Sequence, residues 1–254
     1  AAAASSRARC VVAFRGSVDF WNYLADGEAW QTAWPPVPQS DLSVNTTTAL
    51  VAEAAGDVSA AAAAAGASWC NGCRVHHGFA AAYEELKGSM FSAIRELRCS
   101  EVGVTGHSLG AAVATMAALE IRATLGLKVQ PVFLFGAPRV GNPTFADAFD
   151  AAGAAGGASP PSWRVVHYHD PVPRIAPTSL DYRHISREVY YYTEDENTYK
   201  VCRDDDEDPD CSASVHLWRC TPADHVTYFN LTLKHTNLEQ DCIGKSSFWQ
   251  ELHI

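Results

Sequence analysis

Ser108 has the sequence surroundings of a nucleophile. It lies in the segment Thr105–Ala112, which has a glycine two positions before the serine and another two positions after it. A Gly-x-Ser-x-Gly pattern lets the chain turn sharply from a strand into a helix and presents the serine at the apex of the turn. The run Val102–Val104 before it favours a strand, and Ala111–Leu125 after it favours a helix. The sequence therefore predicts a strand-turn-helix unit that presents Ser108 for nucleophilic attack.

A serine in such a turn needs a base and an orienting acid, which follow it in the order acid, then histidine. Asp170 ends a β-prone run and is held by a proline-rich loop, and His225 lies on a predicted loop before another β-prone run. The chain has ten histidines, and a single histidine is more often a packed or solvated residue than a catalyst. His225 is selected by its place in the order. The sequence thus predicts Ser108, Asp170 and His225 as a catalytic set.

The order of motifs along the chain resembles the class 3 lipase family, the filamentous-fungal-type lipases and their feruloyl esterase relatives. The resemblance extends from Val11 to about Phe229, with a departure between Asp26 and Arg74. Besides the Ser108 segment, the motifs that carry it resemble the oxyanion strand (Val12–Ser17), the lid (Phe20–Asp26), the start of the helix before the nucleophile strand (Val75–Phe79), the next strand and its loop (Phe135–Asn142), the catalytic acid (Asp170–Pro173) and the catalytic histidine (Asp224–His225). Together, in this order, they are far more specific than any one of them.

The resemblance implies an α/β-hydrolase fold: a mostly parallel central sheet flanked by helices, with a short lid and an enlarged insertion near it. It implies that Ser108 attacks an ester carbonyl, that His225 takes and returns the proton, and that Asp170 orients the imidazole. The implied oxyanion hole consists of the backbone N–H groups of Leu109 and Ser17 and the Ser17 hydroxyl. The plainer interpretation of Ser17 is a turn-forming serine after a glycine.

The whole chain, residues 1–254, is expected to form a single domain, with the lid at about 17–26 and the insertion at about 27–74. Its 254 residues, 47% of them hydrophobic, are enough for one sizeable core. The insertion contains Trp30, Trp34 and the Ala-rich segment Thr48–Ala67, which is predicted as a surface helix. It could enlarge a cap over the active-site mouth or pack only loosely. Family members normally carry a helix and strands before the oxyanion strand, whereas this chain begins close to it.

The predicted lid determines the predicted substrate, because it concentrates large apolar side chains: Phe20, Trp21, Tyr23 and Leu24. Such a cluster is unfavourable in water unless it covers an apolar cleft or meets a lipid surface, although it could also be part of the core. The sequence therefore favours a lipase that acts on acylglycerols. A feruloyl-type or general carboxylesterase is the first alternative. A catalytically silent homologue that binds lipid or protein is the alternative from another class.

The composition excludes other partners. A net charge of -10 argues against binding to nucleic acid or anionic membranes. No apolar run approaches the ~20 residues of a membrane span. The acidic segment Arg203–Asp210 lacks the glycine and distal glutamate of an EF-hand and is interpreted as a solvated hairpin tip. The expected partner is a lipid or small ester, met at a lipid–water interface, and neither a metal nor a cofactor is expected.

Eight cysteines suggest an oxidising compartment, and a secreted protein is expected. The sequons at Asn45 and Asn230 agree with secretion and glycosylation. By the resemblance, Cys202 and Cys211 match a family disulfide, Cys70 and Cys73 match a small structural disulfide of the feruloyl esterase branch, and Cys10 and Cys99 precede strands that are neighbours in this fold and could meet. The pairing of Cys220 and Cys242 stays open.

Overall fold

The computed structural model describes residues 8–16, 30–36, 69–154, 162–194, 197–203 and 207–233. Its strands and helices are, in chain order, β1 (Ala8–Phe14), β2 (Gln31–Ala33), β3 (Arg74–His76), α1 (His77–Glu96), β4 (Cys99–His107), α2 (Leu109–Glu120), β5 (Lys128–Phe135), α3 (Pro143–Ala154), β6 (Ser162–His167), β7 (Glu188–Tyr191), β8 (Tyr199–Val201), α4 (Pro222–Val226), β9 (Thr227–Tyr228) and β10 (Leu231–Thr232). The main sheet has the strand order β1-β4-β5-β6-β7-β8. The first five strands are parallel and β8 is antiparallel. The predicted mostly parallel sheet flanked by helices is confirmed.

Helix α2 is the central helix of the core. It packs against β1, β4 and β5 and also contacts α1 and α3. Its sequence is small and apolar on every side, and each residue from Gly110 to Glu120 is buried. A helix that is apolar all round is stable only where protein surrounds it. Composition therefore places the helix that follows Ser108 in the middle of the molecule.

Helix α1 has the opposite pattern, with one apolar face. Its buried residues are Phe79, Ala80, Tyr83, Met90, Phe91 and Ile94, which recur at helical spacing. The helix begins at His77, where the Nδ1 atom of His76 accepts a hydrogen bond from the backbone N–H of Gly78. None of the described helices combines the length and the apolar character needed to cross a bilayer.

The described ends of the predicted insertion belong to the core. β2 pairs with β3 in an antiparallel ladder. Trp34 is only 1% exposed and makes edge-to-face contacts with Trp69, Tyr83 and Phe145. Trp34 is therefore a core residue, whereas Trp30 is 51% exposed. The Ala-rich segment Thr48–Ala67 and the predicted lid lie outside the described residues.

Three disulfides occur among the described cysteines. They join Cys10 to Cys99, a pairing that the sequence left open, and Cys70 to Cys73 and Cys202 to Cys211, which were predicted. The first of them connects β1 to the start of β4. Cys220 forms no disulfide with a described residue, and Cys242 lies outside the described part of the chain.

The acidic segment is not merely a solvated hairpin tip. Glu207 accepts two hydrogen bonds from the buried guanidinium of Arg139, both at 2.7 Å. The carboxylate of Asp208 accepts from the backbone N–H groups of Arg203 and Asp210, at 2.9 Å each, and these bonds lower its pKa. Two of the acidic side chains therefore anchor the segment, which corrects the prediction. Residues 204–206 lie outside the description.

Candidate active site

Ser108 occupies the turn between β4 and α2. Its backbone has φ 58° and ψ -129°, in the positive-φ region that a serine rarely adopts. The backbone N–H of Ser108 donates to the carbonyl of Phe135 at 3.0 Å, which ties the turn to the end of β5. Such strain persists only where the surroundings hold it, and it is concentrated at functional sites.

The two glycines of the motif allow this turn because other backbone lies against them. A Cβ atom on Gly106 would collide with the backbone of Gly110. A Cβ atom on Gly110 would collide with the carbonyl groups of Phe14 and Arg15 at the end of β1. The glycines therefore permit α2 to approach β1 and β4 closely. They also permit the sharp turn.

The three predicted catalytic side chains meet at the carboxyl edge of the sheet. The Nε2 atom of His225 lies 2.9 Å from the Oγ atom of Ser108. The Nδ1 atom of His225 lies 3.0 Å from each carboxylate oxygen of Asp170. All three residues are buried, with exposures of 2% for Ser108, 3% for Asp170 and 4% for His225. This geometry lets an imidazole take a proton from the serine while the carboxylate orients the ring.

The Asp170 carboxylate has two further donors. The backbone N–H of Val172 donates to Oδ1 at 2.8 Å, and the phenol of Tyr228 donates to Oδ2 at 2.6 Å. Burial and the neighbouring carboxylate raise the pKa of Tyr228 well above its ordinary value. The phenol therefore stays a hydrogen-bond donor at any ordinary pH. These contacts fix the carboxylate that faces His225.

His107, directly before the serine, contacts His225 in two ways. The two rings stack with centroids 4.5 Å apart. The Nε2 atom of His107 lies 2.8 Å from the backbone carbonyl oxygen of His225, within hydrogen-bond distance. Burial, followed by the charge of His225, lowers the pKa of His107 to about 4. His107 is therefore neutral at neutral pH and holds both the ring and the backbone of His225.

The sequence argument identified these segments but assigned no role to two of their residues. Gly136 has φ +54°, and a Cβ atom there would lie 2.7 Å from Oδ2 of Asp170 and 3.1 Å from Cε1 of His225. Tyr228 lies three positions after His225, in the run that was predicted to be a strand. A glycine or a tyrosine in a sequence does not by itself indicate such a contact, because both residue types are common in cores and turns.

The other predicted site residues differ in how their positions in the structure compare with the prediction. His225 lies in the one-turn helix α4, not in a loop as predicted, because Thr221 caps that helix and Pro222 starts it. Leu109 is the first residue of α2. Ser17 and the predicted lid residues Phe20, Trp21, Tyr23 and Leu24 lie outside the described residues.

Among the described residues, a cluster that could hold a metal is formed by Glu188, Cys202 and Cys211. The two cysteines are joined in a disulfide, so their sulfur atoms are not available as thiolate ligands. The cluster is therefore structural.

Comparison with known proteins identifies the family of the chain. A parallel sheet with a serine at a strand-to-helix turn defines an α/β-hydrolase. The family model of class 3 lipases matches residues 11–180, and the chain belongs to the class 3 lipase family.

Two curated relatives illustrate the similarity. The chain is 28% identical over 227 residues to a lipase of Rhizomucor miehei, which covers 87% of this chain and 52% of that protein. It is 31% identical over 182 residues to a secreted mono- and diacylglycerol lipase of Malassezia restricta, with 66% and 55% covered. The chain spans about half the length of these curated relatives.

Solved structures of lipases also resemble the structure of this chain. Rhizomucor miehei triacylglyceride lipase superposes with a TM-score of 0.64 at 26% identity and covers 87% of this chain and 72% of that chain. The mono- and diacylglycerol lipase of Aspergillus oryzae gives 0.64 at 26% identity, with 86% and 70% covered.

Proposed function

We propose that the protein hydrolyses carboxylic esters through an acyl-enzyme on Ser108. The observation that carries the proposal is the contact of Ser108 with His225 at 2.9 Å, continued to Asp170 at 3.0 Å. His225 takes the proton of Ser108 during attack and returns it to the leaving alcohol, and Asp170 stabilises the charged imidazole. A related triacylglycerol lipase has a serine protease triad as its catalytic centre, which supports these roles.

The oxyanion of the tetrahedral intermediate is proposed to bind between α2 and the end of β1. The N–H of Leu109 has no partner within its own helix because it lies in the first turn. Ser17 is proposed as the second donor. Its neighbour Gly16 lies close to the nucleophile, since a Cβ atom on Gly16 would be 3.2 Å from the Cβ atom of Ser108. Loss of one oxyanion donor reduces turnover by about 100- to 1,000-fold in comparable enzymes.

The proposed substrates are acylglycerols at a lipid–water interface, and the proposed location is extracellular. The apolar side chains expected in the lid support a lipid substrate. Relatives named as secreted mono- and diacylglycerol lipases include proteins of Malassezia restricta, Fusarium solani and Gibberella zeae. Three disulfides agree with an oxidising compartment. A feruloyl-type or general carboxylesterase remains the first alternative, and a silent binding homologue the second.

The experiment is active-site titration with a phosphonate ester, followed by hydrolysis of emulsified triglyceride, monoglyceride, phospholipid and methyl ferulate. Wild type should be labelled once per chain on Ser108 and should hydrolyse the glycerides. Ser108→Ala should keep its melting temperature, lose labelling and lose about 10⁶-fold in turnover.

The control is Ser100→Ala, at the opposite end of β4, where the hydroxyl donates to the carbonyl of Ala8. It should retain labelling and turnover. Failure of wild type to react with the phosphonate would identify a silent homologue, and selective hydrolysis of methyl ferulate would identify the esterase alternative.

A further inference from the structure

A second open site lies along the same edge of the sheet as Ser108. It is a groove of about 650 Å³ beyond the carboxyl ends of β6 and β7 and beside the start of β8. This volume is typical of small-molecule sites, which span about 300–1,000 Å³. Ser108 follows β4, three strands away in the sheet order, or ~14 Å at the usual strand spacing. The groove is not lined by Ser108, Asp170 or His225, although its lining residue His169 directly precedes Asp170.

Aromatic rings form much of the groove. Tyr168, Tyr190, Tyr192 and Tyr199 all line it. Tyr199 is 58% exposed and Tyr192 is 45% exposed, so their rings face solvent. A tyrosine ring offers an apolar face and a polar tip. The C–H faces of a pyranose ring pack against such rings, and the hydroxyl groups at its edge need polar partners.

Tyr190 contributes a polar tip to this groove. Its side chain is mostly buried, with 6% exposure, and it lines the groove. Burial raises the pKa of Tyr190 to about 12, so the hydroxyl is neutral and can both donate and accept. A ligand with hydroxyl groups can therefore exchange a hydrogen bond with it.

The charged residues of the groove have both signs. Lys200 and Arg219 are donors, and the Lys200 ammonium donates to the backbone carbonyl of Asp210 at 2.9 Å. The Asp210 carboxylate, 66% exposed, is an acceptor on the same wall. Sugar hydroxyls donate and accept, so they fit this mixture.

We propose that this groove binds an oligosaccharide. The sugar rings pack on Tyr199 and Tyr192, and their hydroxyl groups bond to Tyr190, Asp210 and Arg219. The proposal does not involve Ser108 and goes beyond the proposed ester hydrolysis. Binding would keep the triad close to a glycan surface because both sites open at one sheet edge.

The test is calorimetric titration of the full chain, in wild type and Ser108→Ala, with neutral hexasaccharides of xylose, glucose, mannose and N-acetylglucosamine. At least one should bind, equally well in both proteins. Tyr190→Phe removes only the hydroxyl and should weaken binding by about three- to tenfold without changing the melting temperature. Tyr199→Ala should weaken binding by a similar factor or more, because it removes an exposed ring.

The matched control is Trp30→Ala, which removes an exposed aromatic ring away from the groove. It should leave sugar binding unchanged. The proposal is overturned if no hexasaccharide binds at about 10 mM, if both tyrosine variants bind like wild type, or if inorganic phosphate or phosphocholine binds in place of sugars. Because Ser108→Ala retains the groove, failure of ester hydrolysis leaves this result unaffected.

Discussion

At the candidate active site, two of the three central side chains, Asp170 and His225, are held by neighbours outside the proposed triad. Tyr228 and Val172 hold the carboxylate of Asp170, and His107 holds both the ring and the backbone of His225. In the proposed reaction, these contacts would already be in place before substrate binds and would leave little reorganisation to be made. The precision of the site therefore depends on residues outside the triad.

His107 can be tested by separating its two contacts with His225. His107→Phe keeps a ring for stacking but removes the hydrogen bond, whereas His107→Gln keeps a donor but removes the ring. Each variant should lower kcat by about two- to tenfold, the effect of one ordinary hydrogen bond or ring contact. The rate of phosphonate labelling should fall in parallel, because both steps need a correctly placed base. Unchanged kcat in both variants would show that His107 has only a packing role.

At the scale of elements, the site is assembled where loops from separate strands approach one another. Gly136, directly after β5, lies between the loop of Asp170 and the helix of His225. The disulfide-bonded segment that carries Glu207 binds Arg139, three residues further along the same loop. The loop after β5 is thus held at both of these positions.

Gly136→Ala tests whether a side chain at this position would disturb the triad, beyond the cost of its backbone strain. The matched control is Gly126→Ala, since both glycines have positive φ, +54° and +59°, but a Cβ atom at Gly126 would meet nothing within 4 Å. Both variants should lose roughly 1 kcal/mol or more of stability from strain. Only Gly136→Ala should lose most of its kcat/KM, because the new methyl group displaces Asp170 or His225. Equal activity of the two variants would contradict the close approach.

Glu207→Gln tests the anchor of the acidic segment. It leaves the buried Arg139 guanidinium without a carboxylate, and hydrogen bonds to charged groups contribute about 1.5–3 kcal/mol. Because the Glu207 side chain is 29% exposed, a loss of roughly 1–2 kcal/mol is expected in urea unfolding. Asp210→Asn, at a 66% exposed side chain, should change stability by less than about 0.5 kcal/mol. Equal changes of stability in the two variants would mean that the contact between Glu207 and Arg139 does not stabilise the fold.

For the whole molecule, buried histidines link stability to pH. Burial lowers the pKa of His76 and His107 to about 4 and that of His184 well below its ordinary 6.5. In the unfolded chain these groups bind protons near pH 6.5, so between about 6.5 and 4 the unfolded state holds more protons. The free energy of unfolding should therefore fall as the pH is lowered through this window, by up to about 1.4 kcal/mol per pH unit for each histidine.

Urea unfolding at pH 7, 6, 5 and 4.5 measures this dependence. His107→Gln should reduce the slope by about one proton. A wild-type stability that is flat across this range would exclude the effect.

The sequence by itself determined the parts of the site that are local or ordered along the chain. The strand-turn-helix around Ser108 follows from Gly106, Gly110 and the short-range preferences of their neighbours. The acid and the histidine were found because their order is restricted by the path of the chain through a parallel sheet. The resemblance to the family gave the Cys70–Cys73 and Cys202–Cys211 pairs, and its strand order indicated only that Cys10 and Cys99 could meet.

Only the tertiary structure decided which residues hold the site in place. Tyr228, Gly136 and the Glu207–Arg139 pair act across distances of tens of residues, and such contacts leave no local periodicity. Trp34 was assigned to an insertion because its segment departs from the family, yet it lies in the core against Tyr83 and Phe145. Sequence patterns report backbone preferences and burial of one face, whereas these roles depend on how separate elements pack together.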